Sequence, residues 1–203
     1  MRRWLRTMLL VLGLLVTLLA CKRSESTRVV SSAAPAVAKP GAPIQVSGDL
    51  DITIQADGSA KVSGTALEFT SLGTNLEVKK NGARIAKLTR ESDRIKLRGA
   101  DGETVTHKLK FKSDGKLELE DASGNRLYVA KPKDYGYKVN DAADAPIVSV
   151  KQKDTRVEAK KESGEEVFRV EGLTPKAASV LGFEKLDPEL RAALAFFVSR
   201  SGL

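Results

Sequence analysis

Residues that could perform acid–base or metal chemistry are scarce, because the 203-residue chain has one histidine and one cysteine. His107 alternates with Val105 and Leu109 in a β-strand pattern, so we expect it on an inward face as a hydrogen-bonded interior or mouth residue. A zinc site of the usual His/Cys type needs further imidazole or thiolate ligands, and the sequence has no Gly-x-Ser-x-Gly nucleophile elbow. We therefore predict no catalytic residue, no metal site and no cofactor.

Charged side chains do form clusters. Glu118 and Glu120 alternate with leucines, so they belong to a solvated strand face. Lysines recur where two segments end in the pattern Lys-x-Lys-Asp, and with one further lysine they comprise Lys131, Lys133, Lys138, Lys151 and Lys153. If the fold brings these corners to one end, they form a surface for anionic lipid or an acidic envelope polymer. The alternative is that they are solvated lysines that guard strand edges against aggregation.

The first 20 residues have the three-part architecture of a secretory signal peptide. Arg2, Arg3 and Arg6 are basic, residues 7–20 are apolar, and Ala20 precedes Cys21. The apolar run is shorter than the ~20 residues that span a bilayer as a helix. We predict a cleaved signal peptide over 1–20, with cleavage between Ala20 and Cys21.

Leu18-Leu19-Ala20-Cys21 resembles a bacterial lipobox, with Leu19 bulkier than the residue usual at its position. The resemblance implies diacylglycerol on Cys21 and acylation of its new amine by a fatty acid such as palmitate. Lys22 follows the cysteine, which under the enterobacterial sorting rule implies an outer-membrane lipoprotein facing the periplasm. The alternative is an ordinary signal peptide that leaves an unmodified thiol.

Composition bounds the partners. The chain carries a net charge of +8 and is only 5% aromatic, which favours anionic surfaces without the dense basic stripe and interleaved aromatics of a nucleic-acid binder. We predict no nucleic-acid partner, and no sequence feature identifies a protein partner. Residues 21–43 are rich in Ala, Ser and Pro and are expected to form a flexible tether after the acylated cysteine.

Residues 44–203 are predicted to form one mainly β domain. Strict alternation, as in 94–98 and 105–112, indicates strands with one buried and one solvated face, which belong to antiparallel sheets. Asn-Gly, Asp-Gly and Ser-Gly pairs supply the positive φ that tight hairpin turns need. The pattern predicts about twelve strands.

Two helices are predicted after the strands. Thr174-Pro175 and Asp187-Pro188 are helix-start signals, and the second helix, up to Arg200, is apolar on nearly every side. Such a helix must be buried all round, which predicts an antiparallel β-barrel enclosing it. The alternative is a β-sandwich with terminal helices.

This arrangement is similar to the tubby C-terminal-like superfamily, which includes the LURP-one-related and scramblase-like proteins. The resemblance lies in the Gly-turn hairpins between 93 and 172, "KDYGYKV" at 133–139 and the helix at 188–200. It implies a barrel of about twelve strands around an apolar helix. Eukaryotic tubby domains bind phosphoinositide head groups, but no binding position can be matched in this chain.

These observations predict a membrane-anchored, non-enzymatic envelope lipoprotein that serves as a binding or scaffolding module. Its membrane contact is through lipidated Cys21. The first alternative is a protein that binds or handles anionic lipid, as in the tubby and scramblase-like proteins. The second is an enzyme of an unrecognised class.

Overall fold

The structure, a computed structural model, describes residues 43–201. The predicted signal peptide, the cleavage site at Ala20 and Cys21, and the tether up to residue 42 lie outside the described residues.

A single closed antiparallel barrel of fourteen strands forms the body of the domain. Each strand pairs with its neighbours along the chain, and β1 pairs with β14 to close the sheet. The strands are β1 (Ile44–Gly48), β2 (Ile52–Ile54), β3 (Ser59–Val62), β4 (Thr65–Leu72), β5 (Asn75–Lys80), β6 (Ala83–Arg90), β7 (Arg94–Arg98), β8 (Val105–Phe111), β9 (Leu117–Asp121), β10 (Arg126–Lys133), β11 (Gly136–Asp141), β12 (Pro146–Lys153), β13 (Arg156–Lys160) and β14 (Glu166–Glu171). The predicted barrel is confirmed, and its closure rules out the sandwich.

The strand count of fourteen is close to the predicted number of about twelve. β2 and β3 have three and four residues, and alternation over so few positions is a weak signal. Their burial still alternates, with Ile52, Ile54, Ala60 and Val62 directed inward.

The barrel has two ends, which the up-and-down topology defines. We call the end at which residue 43 leads into β1 the tether end; the turns after β2, β4, β6, β8, β10 and β12 lie there too. The opposite, far end carries the turns after the odd-numbered strands.

Glycine turns allow the strands to reverse tightly. Asn81 and Gly82 both have positive φ, +52° and +78°, as a two-residue hairpin turn of type I′ requires. Gly58 is constrained by space as well, since a Cβ there would lie 2.1 Å from the Phe69 carbonyl oxygen.

Two helices follow the last strand. α1 (Pro175–Ser179) continues as a 3₁₀ turn (Val180–Gly182), and α2 spans Pro188–Arg200. The Thr174 hydroxyl caps α1 by accepting a hydrogen bond from the Ala177 amide at 3.3 Å. Asp187 occupies the N-cap position of α2, but its side chain makes no capping hydrogen bond.

α2 fills the barrel. All seven residues from Ala192 to Val198 are buried, and the Phe196 ring packs at 5.4 Å from the Phe69 ring of β4. The helix begins at the far end and ends at the tether end, where the Arg200 guanidinium donates to the Ala56 carbonyl. Neither described helix is both long enough and apolar enough to cross a membrane.

The sheet of the described segment is complete. Each of its fourteen strands pairs with two neighbours, and its buried apolar residues form one continuous hydrophobic cluster. Since the sheet has no unpaired edge, this segment needs no further strand to complete it.

Truncating the helix core should destabilise the whole barrel. We expect Phe196→Ala to lower the free energy of unfolding by about 3–5 kcal/mol, because it leaves a cavity against Phe69. Urea denaturation followed by circular dichroism measures this. Leu72→Ala is the control: Leu72 is 54% exposed and should change stability by less than about 0.5 kcal/mol. Equal losses in the two variants would contradict the enclosed-helix core.

Candidate functional site

His107 lies on the inner face of β8 towards the far end, between Leu97 of β7 and Asp121 of β9. It is half-buried, and its Nδ1 lies 3.2 Å from the Thr106 hydroxyl. The same hydroxyl lies 3.2 Å from the Leu97 carbonyl oxygen, to which it can donate.

The charge state of His107 follows from its surroundings. Burial lowers the pKa of His107 below its ordinary value of 6.5, while the nearby carboxylates of Asp121 and Asp187 act in the opposite direction and are outweighed. The imidazole is consequently neutral at physiological pH. Within residues 43–201, no group of three or more His, Cys, Asp or Glu side chains could hold a metal ion.

The five predicted lysines come together on the outer face of β10–β12, and we call them the lysine patch: Lys131, Lys133, Lys138, Lys151 and Lys153. Lys131 and Lys138 face each other across β10 and β11. Lys133 and Lys153 end β10 and β12, so both lie at the tether end. The predicted convergence of the two corners is present in the fold.

Two lysines of the patch are engaged by carboxylates. Lys131 pairs with Asp144 at 3.0 Å, and Lys138 pairs with Glu162 at 3.0 Å. The hydrogen bond from Lys131 holds the pKa of Asp144 below its usual range. These pairs are solvent-exposed and contribute little to stability.

The lysines nearest the tether end are not paired with carboxylates of the described residues. Lys151 Nζ sits 4.9 Å from the centre of the Tyr135 ring, a cation–π contact. Among the described residues, the ion pairs include neither Lys133 nor Lys153. The available positive charge of the patch is therefore concentrated at the rim of the tether end.

Exposed apolar side chains mark the same end. In the described segment, the exposed large hydrophobic residues are Leu72, at 54%, and Tyr135, at 39%. Leu72 ends β4 and Tyr135 lies in the turn after β10, so both project from tether-end turns.

The paired carboxylates of β9 neutralise neighbouring lysines. Glu118 pairs with Lys112 at 2.9 Å, and Glu120 pairs with Lys110. The hydrogen bond that Lys112 donates to the Glu118 carboxylate raises the pKa of Lys112. Glu120 lies on the outer face, but it is not solvated as predicted: its side chain is only 8% exposed and pairs with Lys110. These contacts make the pair a structural ion-pair cluster.

A second basic surface escaped the sequence analysis. β6, β7 and β8 contain no Asp or Glu. We call their outward cations the basic wall: Lys87, Arg94, Lys96, Arg98, Lys108 and Lys110. The lack of acidic residues across three successive strands was the signal available in the sequence.

The register places like charges directly opposite each other in the basic wall. Lys87 faces Arg98 across β6 and β7. Arg94 faces Lys110, and Lys96 faces Lys108, across β7 and β8. Opposed like charges on neighbouring strands destabilise a sheet.

Carboxylates from outside these strands neutralise half of the basic wall. Arg94 pairs with Asp93 at 2.9 Å, Lys96 with Glu91, and Lys110 with Glu120. The remaining cations are Lys87, Arg98 and Lys108, and no ion pair of the described residues includes them.

Backbone carbonyls hold two of these three cations. Arg98 donates to the Glu103 carbonyl, and Lys108 donates to the Ala122 carbonyl at 3.4 Å. A carbonyl orients a cationic head group without cancelling its charge. Lys87, Arg98 and Lys108 therefore form the most anion-accessible part of the basic wall.

Comparison with known proteins leaves the family unassigned. No protein-family profile matches the chain, and no curated protein matches it. Among solved structures, the chain is similar to an X-ray structure of a protein from Arabidopsis thaliana, with 14% identity and a TM-score of 0.39. The match covers 74% of this chain and 96% of the plant protein. A likeness at this level assigns neither a family nor a function.

His107 should make stability depend on pH in a specific window. Because its folded pKa lies below 6.5, the unfolded chain binds more protons as the pH falls below 6.5, so the free energy of unfolding decreases there. His107→Gln should lose less stability between about pH 7 and about pH 5, where ordinary carboxylates stay ionised. Urea titrations at both pH values measure this, and an unchanged difference would contradict the burial of a neutral imidazole.

Proposed function

We propose that the protein is a lipid-anchored, non-enzymatic binding or scaffolding module of the bacterial cell envelope. The observation that carries the proposal is the occupied barrel interior. Since α2 fills it, the polar and charged side chains available to a partner lie on the outer wall and the two ends. Groups in such positions are accessible to other molecules.

The anchor in this proposal is diacylglycerol on Cys21, with the protein at the outer membrane facing the periplasm. Support comes from the lipobox-like residues before Cys21 and from Lys22 after it. A random tether over 21–43 would reach roughly 25 Å, so the barrel would stay close to the membrane surface. Two or more acyl chains suffice for stable anchoring.

Membership of the tubby C-terminal-like superfamily is part of the proposal. A closed antiparallel barrel around an apolar helix is the architecture that the resemblance implies. Its fourteen strands are close to the expected number of about twelve.

The anchor is tested by metabolic labelling with an alkyne analogue of palmitate, followed by membrane fractionation. We expect the native chain to carry the label in the membrane fraction, and Cys21→Ala to abolish labelling because the thiol that accepts diacylglycerol is gone. Ser24→Ala, three residues further along the tether, is the matched control and should be labelled like the native chain. An unlabelled native chain, or a labelled Cys21→Ala variant, would refute the lipid anchor.

A second candidate function is contact with an anionic membrane surface through the tether end. A specific combination favours it: uncompensated lysines, exposed Leu72 and Tyr135, and the point where residue 43 leads into the barrel all occur at that end. Apolar side chains rimmed by cations suit the interface of an anionic bilayer.

Vesicle co-sedimentation tests this contact with the segment 43–203. We expect binding to phosphatidylglycerol-containing vesicles, and a loss on the order of a hundredfold when Lys133, Lys151 and Lys153 are all changed to Gln, since each lysine near such a surface contributes about 1 kcal/mol.

The matched control is Lys87→Gln/Arg98→Gln/Lys108→Gln, which removes the same charge from the basic wall and should leave vesicle binding within about threefold. Equal losses in the two triple variants would show that only net charge matters. Equal binding to neutral phosphatidylcholine vesicles would likewise refute the contact.

A further inference from the structure

We propose that the basic wall is a binding surface for a linear polyanion, a polymer that carries a carboxylate or phosphate on each repeat unit. The inference rests on the proposed function as a binding module and names the chemistry of its partner. It concerns β6–β8, a face separate from the lysine patch.

The first argument is that the basic wall works against the stability of its own sheet. Three successive cross-strand pairs oppose cation to cation, Lys87–Arg98, Lys96–Lys108 and Arg94–Lys110. Like-charged cross-strand pairs are unfavourable. The same face accepts neutral residues, because Thr89 and Thr106 occupy outward positions on β6 and β8. Carboxylates of neighbouring segments pair with Arg94, Lys96 and Lys110. Glu77 and Glu120 face Lys87 and Lys108 across the strands without forming an ion pair with them, so an external anion supplies countercharge to Lys87, Arg98 and Lys108.

The second argument is the spacing of the charges. Arg94, Lys96 and Arg98 occupy alternate positions of β7, so their Cα atoms are about 6.6 to 6.8 Å apart along the strand. Cations on β6 and β8 flank them at the inter-strand distance of about 4.8 Å. Arg94 and Lys96 are paired with Asp93 and Glu91. The cations outside the ion pairs, Lys87, Arg98 and Lys108, lie on three adjacent strands of this grid, and such a spread matches repeated anionic groups along a polymer better than it matches one small ion.

The third argument is preorganisation. The Arg98 and Lys108 head groups are held by the carbonyls of Glu103 and Ala122, so part of the entropy cost of ordering them is already met in the free protein. Their charge remains available because no carboxylate of the described residues pairs with them.

The side chains of the basic wall favour a linear polyanion over two other anionic partners, single-stranded nucleic acid and an anionic bilayer. β6–β8 present no aromatic side chain outward, since Phe111 packs against the core, and binding of single-stranded nucleic acid relies on stacking platforms. The exposed apolar residues Leu72 and Tyr135 lie at the tether end, so the basic wall lacks the apolar anchors that favour a bilayer interface.

Fluorescence anisotropy with the purified full chain in a neutral detergent tests the proposal. The probes are labelled polygalacturonate and labelled long-chain polyphosphate, with galacturonate and inorganic phosphate as unlabelled monomers. We expect both polymers to bind, binding to weaken as salt is added, and neither monomer to compete at matched charge concentration. Binding of only one polymer identifies whether carboxylate or phosphate is the partner's group.

Two triple variants with the same change of charge decide the location. Lys87→Gln/Arg98→Gln/Lys108→Gln should weaken polymer binding about tenfold or more, whereas Lys133→Gln/Lys151→Gln/Lys153→Gln should bind nearly as well as the native chain. Equal weakening in both would overturn the proposal, because binding would then follow net charge alone. Competition by a monomer would also overturn it by indicating a single-anion site.

Thermal unfolding provides an independent readout. Because the basic-wall variant removes like-charge repulsion, its unfolding midpoint should equal or exceed that of the native chain. A lower midpoint would contradict the argument that the charges oppose folding. If the triple variant does not fold, polymer binding is measured for Lys87→Gln alone. An affinity equal to that of the native chain would then contradict the proposal. Labelling of Cys21 is independent of these variants, so failure here leaves the anchor test intact.

Discussion

The burial of α2 is the constraint on which the rest of the structure depends. A helix whose buried run from Ala192 to Val198 covers every side has no stable position at the surface of a sheet. Closing the sheet around α2 buries the apolar surface of the helix on all sides, and it also removes both unpaired edges of the sheet. Closure then fixes the face of every strand residue, so the alternation of β5 to β12 is a direct consequence of enclosing one helix.

Because α2 fills the interior, the charged side chains lie on the outside of the barrel. In an open barrel, inward residues of a strand can line a cavity, but here the inward positions of β7 and β8, such as Leu97 and Leu109, are fully buried in the common core. Charged residues are left to the outer wall and the ends. His107 is the partial exception, and its lowered pKa reflects the cost of placing an ionisable group near that core.

Much of this architecture could be predicted because it depends on local signals. The alternation in "RIKLR" and "VTHKLKF" identifies β7 and β8, and Thr174 caps α1 as its sequence context indicates. The predicted count of about twelve strands is close to the fourteen observed, and the shortest strands, such as the three-residue β2, carry the weakest periodic signal. Asp187 shows the limit of cap signals: the residue type fits, yet its side chain makes no capping bond.

The lysine patch and the basic wall differ in predictability for a physical reason. The patch follows from a repeated Lys-x-Lys-Asp pattern, which is local in sequence. The basic wall exists only through register: Lys87 and Arg98 become neighbours because the β6–β7 hairpin aligns them.

The carboxylates of β9 keep the two basic surfaces distinct. Glu118 and Glu120 pair with Lys112 and Lys110 at the boundary of β8, and so place a neutral strip between the basic wall and the lysine patch. The barrel therefore carries one set of cations at the rim of its tether end and another along its outer wall, separated by the ion pairs of β9.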